Sequence, residues 1–248
     1  MMITIFTIAG SAVYAAEIPV SDQDQLITSS DWTEISNLQD EMKKEEPDAT
    51  IDYDKALKVY VDCNLIKLQT ADTKKLTSAL ESANYVWVIP FKMEKTYGMF
   101  TVAKGLPLSE EAKSVLTKAE QEEVKNHAGK WMITETAEHT VEPYYDILLE
   151  KREALSDCTR VVLVGSQPGM RQPVALGMDD ETARIWISLG YQYPVMEKIP
   201  ETQNVESGVY SFDSVAEISD TYIEDSEVST GAGVQSRSSM KYVAGIGI

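Results

Sequence analysis

Two cysteines, two histidines and one serine set between glycines are the residues of this chain best suited to chemistry. Gly165-Ser166-Gln167-Pro168-Gly169 follows an apolar run, residues 161–164, as phosphate loops do. It lacks the lysine of a P-loop, and another apolar run follows it, so no helix N-terminus is at hand for an anion. A nucleophile elbow needs glycine two before and two after the serine, then a helix, and this loop has neither. It reads as a hairpin turn. Ser166, Gln167 and Arg171 are the side chains through which that turn would hold a ligand, with Arg171 clasping a carboxylate; the competing reading pairs Arg171 with a surface acid.

Cys63 and Cys158 make an even count, which in an exported chain invites a disulfide. Each also falls at an apolar position, so two buried free thiols stand as an equal alternative to a bridge. No spacing supports a Cys-His nucleophile. His127 and His139 lie twelve residues apart and match no metal spacing, although Glu135, Glu138 and Glu142 surround His139. A solvated histidine in an acidic loop is expected. Paired carboxylates could serve a glycosidase, but acids are so abundant that none stands out. Trp87, Trp131 and Trp186 fall in apolar runs, where core packing is expected before sugar stacking. No catalytic set, no metal site and no cofactor motif is identified.

The charge balance excludes more than the motifs do. The 248 residues carry a formal charge of -18, from 40 acidic and 22 basic residues, so nothing would neutralise a phosphate backbone or favour an anionic membrane surface. Residues 17–58 hold twelve acidic residues to four basic, and residues 191–248 hold nine to three. Acidic flanks of this kind read as solvated surface.

The elements follow from periodicity. Residues 17–29 read as extended or disordered, and a helix then opens at Asp31-x-x-Glu34 and stops at Pro47. Residues 58–65 alternate as a half-buried strand, and 70–83 carry an apolar stripe at helical spacing. Residues 85–90 form a fully buried strand with 97–103 as hairpin partner. Ser109 caps a helix with Ala112, Val115, Leu116 and Ala119 inward, and Gly129 ends it. Residues 130–135 form a strand, Pro143 opens a helix, and strands follow at 161–164, 173–178 and 183–189.

Residues 78–90 laid over 153–165 at a shift of 75 match Ala79 with Ala154, Leu80 with Leu155 and Val86 with Val161. The expected fold is α+β, with a mixed or antiparallel sheet. It is built from two diverged βαββ units, near 55–105 and 130–190, joined by a helix within a domain spanning 55–195 and preceded by an N-terminal segment, 16–54, with one helix.

The two ends carry their own signals. Residues 1–15 are apolar, too short to span a bilayer, and end in the small residues a signal peptidase inspects, although no basic residue precedes them. Residues 196–240 read as an acidic, serine-rich disordered stalk. Lys241 and Tyr242 before a short apolar run read as the start of a truncated membrane anchor at 241–248. This layout predicts an exported, membrane-tethered protein acting as a binding or interaction module on an envelope protein or extracellular ligand. The alternative is an extracellular hydrolase with its acids in a cleft between the two units.

Overall fold

The computed structural model describes residues 18–139, 142–165, 167, 173–190 and 204–218. A ten-stranded, mostly antiparallel sheet runs through them, with helices on both faces. The strands are β1 (Thr50–Ile51), β2 (Leu57–Tyr60), β3 (Tyr85–Lys92), β4 (Tyr97–Lys104), β5 (Trp131–His139), β6 (Arg160–Val164), β7 (Val174–Met178), β8 (Ala183–Ser188), β9 (Asn204–Glu206) and β10 (Val209–Ser211). Their order across the sheet is β5-β4-β3-β2-β6-β7-β8-β10-β9, and β1 pairs with β3 off that path. β2 and β6 form the one parallel ladder among the described strands, with Val59 beside Leu163.

Period-two alternation decides which side chains meet which helices. On one face, Trp87, Ile89, Phe91, Phe100 and Val102 pack under Ile35 of α1 (Trp32–Ile35) and Met42 of α2 (Gln39–Glu45). On the same face, Val162, Val164, Leu176 and Trp186 pack under Leu76 and Leu80 of α3 (Thr73–Glu81). The opposite face presents Leu57, Val59, Val86, Val88, Val161 and Leu163 to Tyr144 and Leu148 of α6 (Tyr144–Glu150) and to Leu155 beyond it. α3 lies within the helical span 70–83 read from the sequence and starts at Thr73, where Asp72 caps it by accepting the backbone N–H of Lys75.

The α+β class and the antiparallel sheet agree with the sequence reading; the two βαββ units do not emerge. β5, expected to open the second unit, lies at the edge of the described sheet and pairs with β4 of the first. The shift of 75 lays β3 on β6. β3 has an antiparallel neighbour on each side, whereas β6 has one parallel and one antiparallel. The shared pattern reflects equal burial, not equivalent position.

Four smaller expectations change. The helix expected after Ser109 is two, α4 (Glu110–Val115) and α5 (Lys118–His127), because Thr117 starts a new capping box with Glu120. Val115, expected inward, is 77% exposed, and Ala119 is exposed too. The segment after Glu17 is not extended: it makes short 3-10 turns and buries Ile18, Val20, Asp24 and Leu26. Finally, residues 204–218, placed by sequence in the stalk, fold onto the sheet as β9, β10 and a short α-helix over 212–218, with Val209, Tyr210, Phe212 and Val215 buried. The turn at Gly208 (φ 74°) closes that hairpin where a side chain would be strained. The expected leader (1–15) and anchor (241–248) lie outside the described residues, as do 196–203 and 219–240 of the expected stalk.

Candidate binding cleft

The polar interior is built around two aspartates from the N-terminal segment. Asp24 is 2% exposed and accepts hydrogen bonds from the hydroxyls of Ser21 (2.6 Å) and Tyr60 (2.7 Å). Arg160 Nη2 donates to it at 3.2 Å, and the Lys58 ammonium stands 3.8 Å away. Asp31 occupies the N-cap position of α1 without capping it. Its carboxylate instead takes the Tyr85 hydroxyl at 2.9 Å and the Trp87 indole N–H at 3.0 Å. Lys58 lies between these carboxylates, its ammonium 4.5 Å from the ring centroid of Tyr85 and 5.2 Å from that of Trp87.

The register explains why these groups converge. Lys58 is opposite Trp87 and Tyr60 opposite Tyr85, so all four stand on one face where the N-terminal segment crosses. Burial pulls the Lys58 ammonium below its ordinary pKa, against the attraction of Asp24 and Asp31. Burial first, then the hydrogen bonds to Asp24 and Asp31, holds the Tyr60 and Tyr85 phenols above theirs. The network pairs its charges, leaves the buried Arg160 Nε–H without a partner among the described residues, and ties Asp24 and Asp31 to the sheet.

Tyr85 carries this network to the surface. A cleft of about 310 Å³ opens at the strand ends, walled by Tyr85, Trp131, Leu106 and Pro107, with Lys104, Asp62 and Asn84 at its polar positions. The Tyr85 and Trp131 rings stand 5.8 Å apart, tilted by 48°. The Lys104 ammonium sits 5.4 Å from the Trp131 ring centroid. Asp62 adopts a left-handed backbone (φ 59°), and Asn84 donates to its carboxylate at 3.0 Å.

Of the three side chains that the sequence singles out for a ligand, Gln167 falls among the described residues, and its place changes its role. It is 3% exposed. Its amide donates to the carbonyls of Cys63 (2.6 Å) and Gly165 (2.9 Å), and its oxygen accepts the N–H of Leu65 (3.2 Å). Both amide hydrogens are thus engaged by backbone carbonyls. These bonds fix residues 63–65, next to the Asp62 wall of the cleft, so Gln167 positions the cleft and does not line it. Ser166 and Arg171 lie outside the described residues. Cys63 and Cys158 are buried, free and assigned to separate core clusters; burial pushes each thiol up to about 11. Trp87 and Trp186 are fully buried core residues, while Trp131, at 7% exposure, also borders the cleft. Among the described residues, no three His, Cys, Asp or Glu side chains are arranged to hold a metal ion.

Sequence reasoning missed Asp24, Asp31 and Lys58. Apart from Ser21, the partners of Asp24 lie 34 to 136 residues away, and only the sheet order brings them together. The chain matches no protein-family model, no curated protein and no solved structure. Its function has to be read from this geometry.

Proposed function

We propose that the chain is an exported, surface-tethered protein whose role is to bind a ligand at the cleft bounded by Tyr85, Lys104 and Trp131. The cleft is the observation that carries this reading. It joins an aromatic pair, an ammonium group and a carboxylate on a wall braced by Gln167, which is the mixture of apolar lining and few polar groups that ligand sites favour. The acids support binding over hydrolysis. Asp24 and Asp31 are occupied by their own donors, and Asp62 is held by Asn84. Export rests on the apolar leader and its small-residue end, and tethering on the C-terminal pattern. Cleavage after Ala15 would leave Ile18 and Val20, both buried, with the mature chain.

The test is an amide NMR titration of the protein beginning at Ala16 with neutral, anionic and cationic bicyclic aromatics. Shifts centred on Tyr85, Lys104 and Trp131, reduced by Lys104→Ala, are expected. Shifts absent there, or centred on the β6–β7 turn, would overturn the binding reading. Recovery of the native protein from the cytoplasm with residues 1–15 attached would overturn export.

A further inference from the structure

β5 closes one side of the sheet, and among the described residues only β4 pairs with it. In an antiparallel ladder alternate residues turn their N–H and C=O groups away from the partner. No backbone hydrogen bond from another described segment reaches residues 131–139 to satisfy those outward groups. The opposite edge is β9, of three residues, whereas β5 has nine. Natural edges are commonly blunted by charge (lysine above all), by proline or by bulges; Trp-Met-Ile-Thr-Glu-Thr-Ala-Glu-His carries no lysine or proline, and its acidic charges are two glutamates. One bulge interrupts the ladder, where Val102 faces Ile133 and Thr101 faces Glu135. Beyond it, residues 135–139 pair one for one with β4.

We propose that this outer edge, along residues 135–139, is a docking site for an extended peptide that joins the sheet as a further strand and carries two basic residues three apart. The spacing follows from the pleat. Glu135 is opposite Thr101 and Glu138 opposite Gly98, three positions apart on β4, so the two exposed carboxylates flank the edge on opposite faces. Glu45 adds acid on one face, where the Thr136 hydroxyl donates to it. A strand added here meets Glu135 on one face and Glu138 on the other, and a lysine or arginine at each neighbouring position completes both pairs. Charge disfavours a second copy of this chain as occupant. Antiparallel self-pairing centred between Thr136 and Ala137 sets Glu135 against Glu138 twice, and each copy brings a further charge of -18.

The proposal is independent of the cleft and is tested on the full chain with two acetylated, amidated peptides, TVKTVKVT and its glutamate counterpart TVETVEVT. The lysine peptide is expected to slow amide hydrogen exchange along residues 135–139 and to bind at least ~10-fold more tightly than the glutamate peptide, a difference of about 1.4 kcal/mol. Both glutamates are exposed, so the double variant Glu135→Lys/Glu138→Lys should fold and reverse the preference. Three results would overturn the proposal. The outward amides could already exchange slowly in the free protein, showing an edge covered by another part of the chain; the two peptides could bind equally; or protection could fall elsewhere.

Discussion

Asp24 carries more of the polar interior than any other residue. Its carboxylate receives two hydroxyls and a guanidinium and stands beside an ammonium, all in a site almost closed to water. Removing one partner of a buried ionic group typically costs about 3–5 kcal/mol, because the remaining charges stay buried without compensation. Asp24→Ala should therefore lower the free energy of unfolding in urea by that order. Tyr60→Phe, which removes one neutral donor, should cost only about 1 kcal/mol. Equal losses for the two would show that Asp24 acts through packing and not through its charge. The thiols give a second prediction at this scale. Cys63 and Cys158 titrate near 11 when folded against an ordinary 9.0. The native state thus keeps protons that the unfolded chain releases, and stability present below pH 9 is lost as pH rises from 9 to 11. Tyr60 and Tyr85 add to that loss above pH 10. Lys58 acts the other way, since its lowered pKa makes the folded state gain as pH rises toward 10.5. The two thiols from pH 9, joined by the two tyrosines above pH 10, outweigh Lys58, so urea midpoints should fall between pH 9 and pH 11. A flat profile would contradict the burial of these groups.

At the scale of elements, the turn after β2 shows how a side chain can set a surface from beneath. Gln167→Ala would leave the Leu65 N–H and the Cys63 carbonyl without their partner, at a cost of about 1–3 kcal/mol. The amide shifts of Asp62 and Asn84 should move with it. If they stay still, Gln167 does not shape the cleft wall. Hairpin β3–β4 offers a packing test. Gly98 lies opposite Phe91, whose ring covers it so closely that a Cβ there would meet Cζ at 2.1 Å. Gly98→Ala should cost about 1–3 kcal/mol by forcing that ring aside, away from Phe100, with which it now stacks at 4.6 Å. The extent of what the sequence discloses is clear at this scale. α3, β3, β4 and β6 to β8 are readable because their apolar spacing matches a helix or strand period. The break at Thr117 is also readable, as a capping-box pair with Glu120, yet the continuous apolar pattern around it obscures the signal. Sheet order is not readable, since period-two patterns report burial and not neighbours. That is why β5 reads as part of the wrong half of the sheet, and why Lys58 looks like one surface lysine among many. Gln167 is visible as a candidate because of its unusual loop, but nothing in the sequence distinguishes a residue facing a ligand from one bracing the wall beneath it.

For the molecule as a whole, the net charge and the N-terminal segment oppose one another. A charge of -18 disfavours the compact state through self-repulsion, so added NaCl should raise the melting temperature by screening exposed acids, while the buried Asp24 network is screened far less. What holds the sheet against that repulsion includes a segment that the sequence reads as extended or disordered. Val20 bridges to Val161 and Gln25 to Leu57, so residues 20–25 lie at the ends of both central parallel strands. Ile18 and Val20 are each less than a tenth exposed, and burying such side chains contributes about 1.5–3 kcal/mol apiece. Together with Asp24, these residues account for stabilisation comparable to the ~5–15 kcal/mol that keeps a typical domain folded. Two truncations separate this role from that of the leader. A chain starting at Ala16 should melt cooperatively, with the amide spectrum of the folded protein. A chain starting at Gln25 lacks Ile18, Val20 and Asp24 and should lose cooperative melting, or melt far lower, even in high salt where charge repulsion is screened. If both chains melt alike, residues 18–24 merely decorate a sheet that is complete without them.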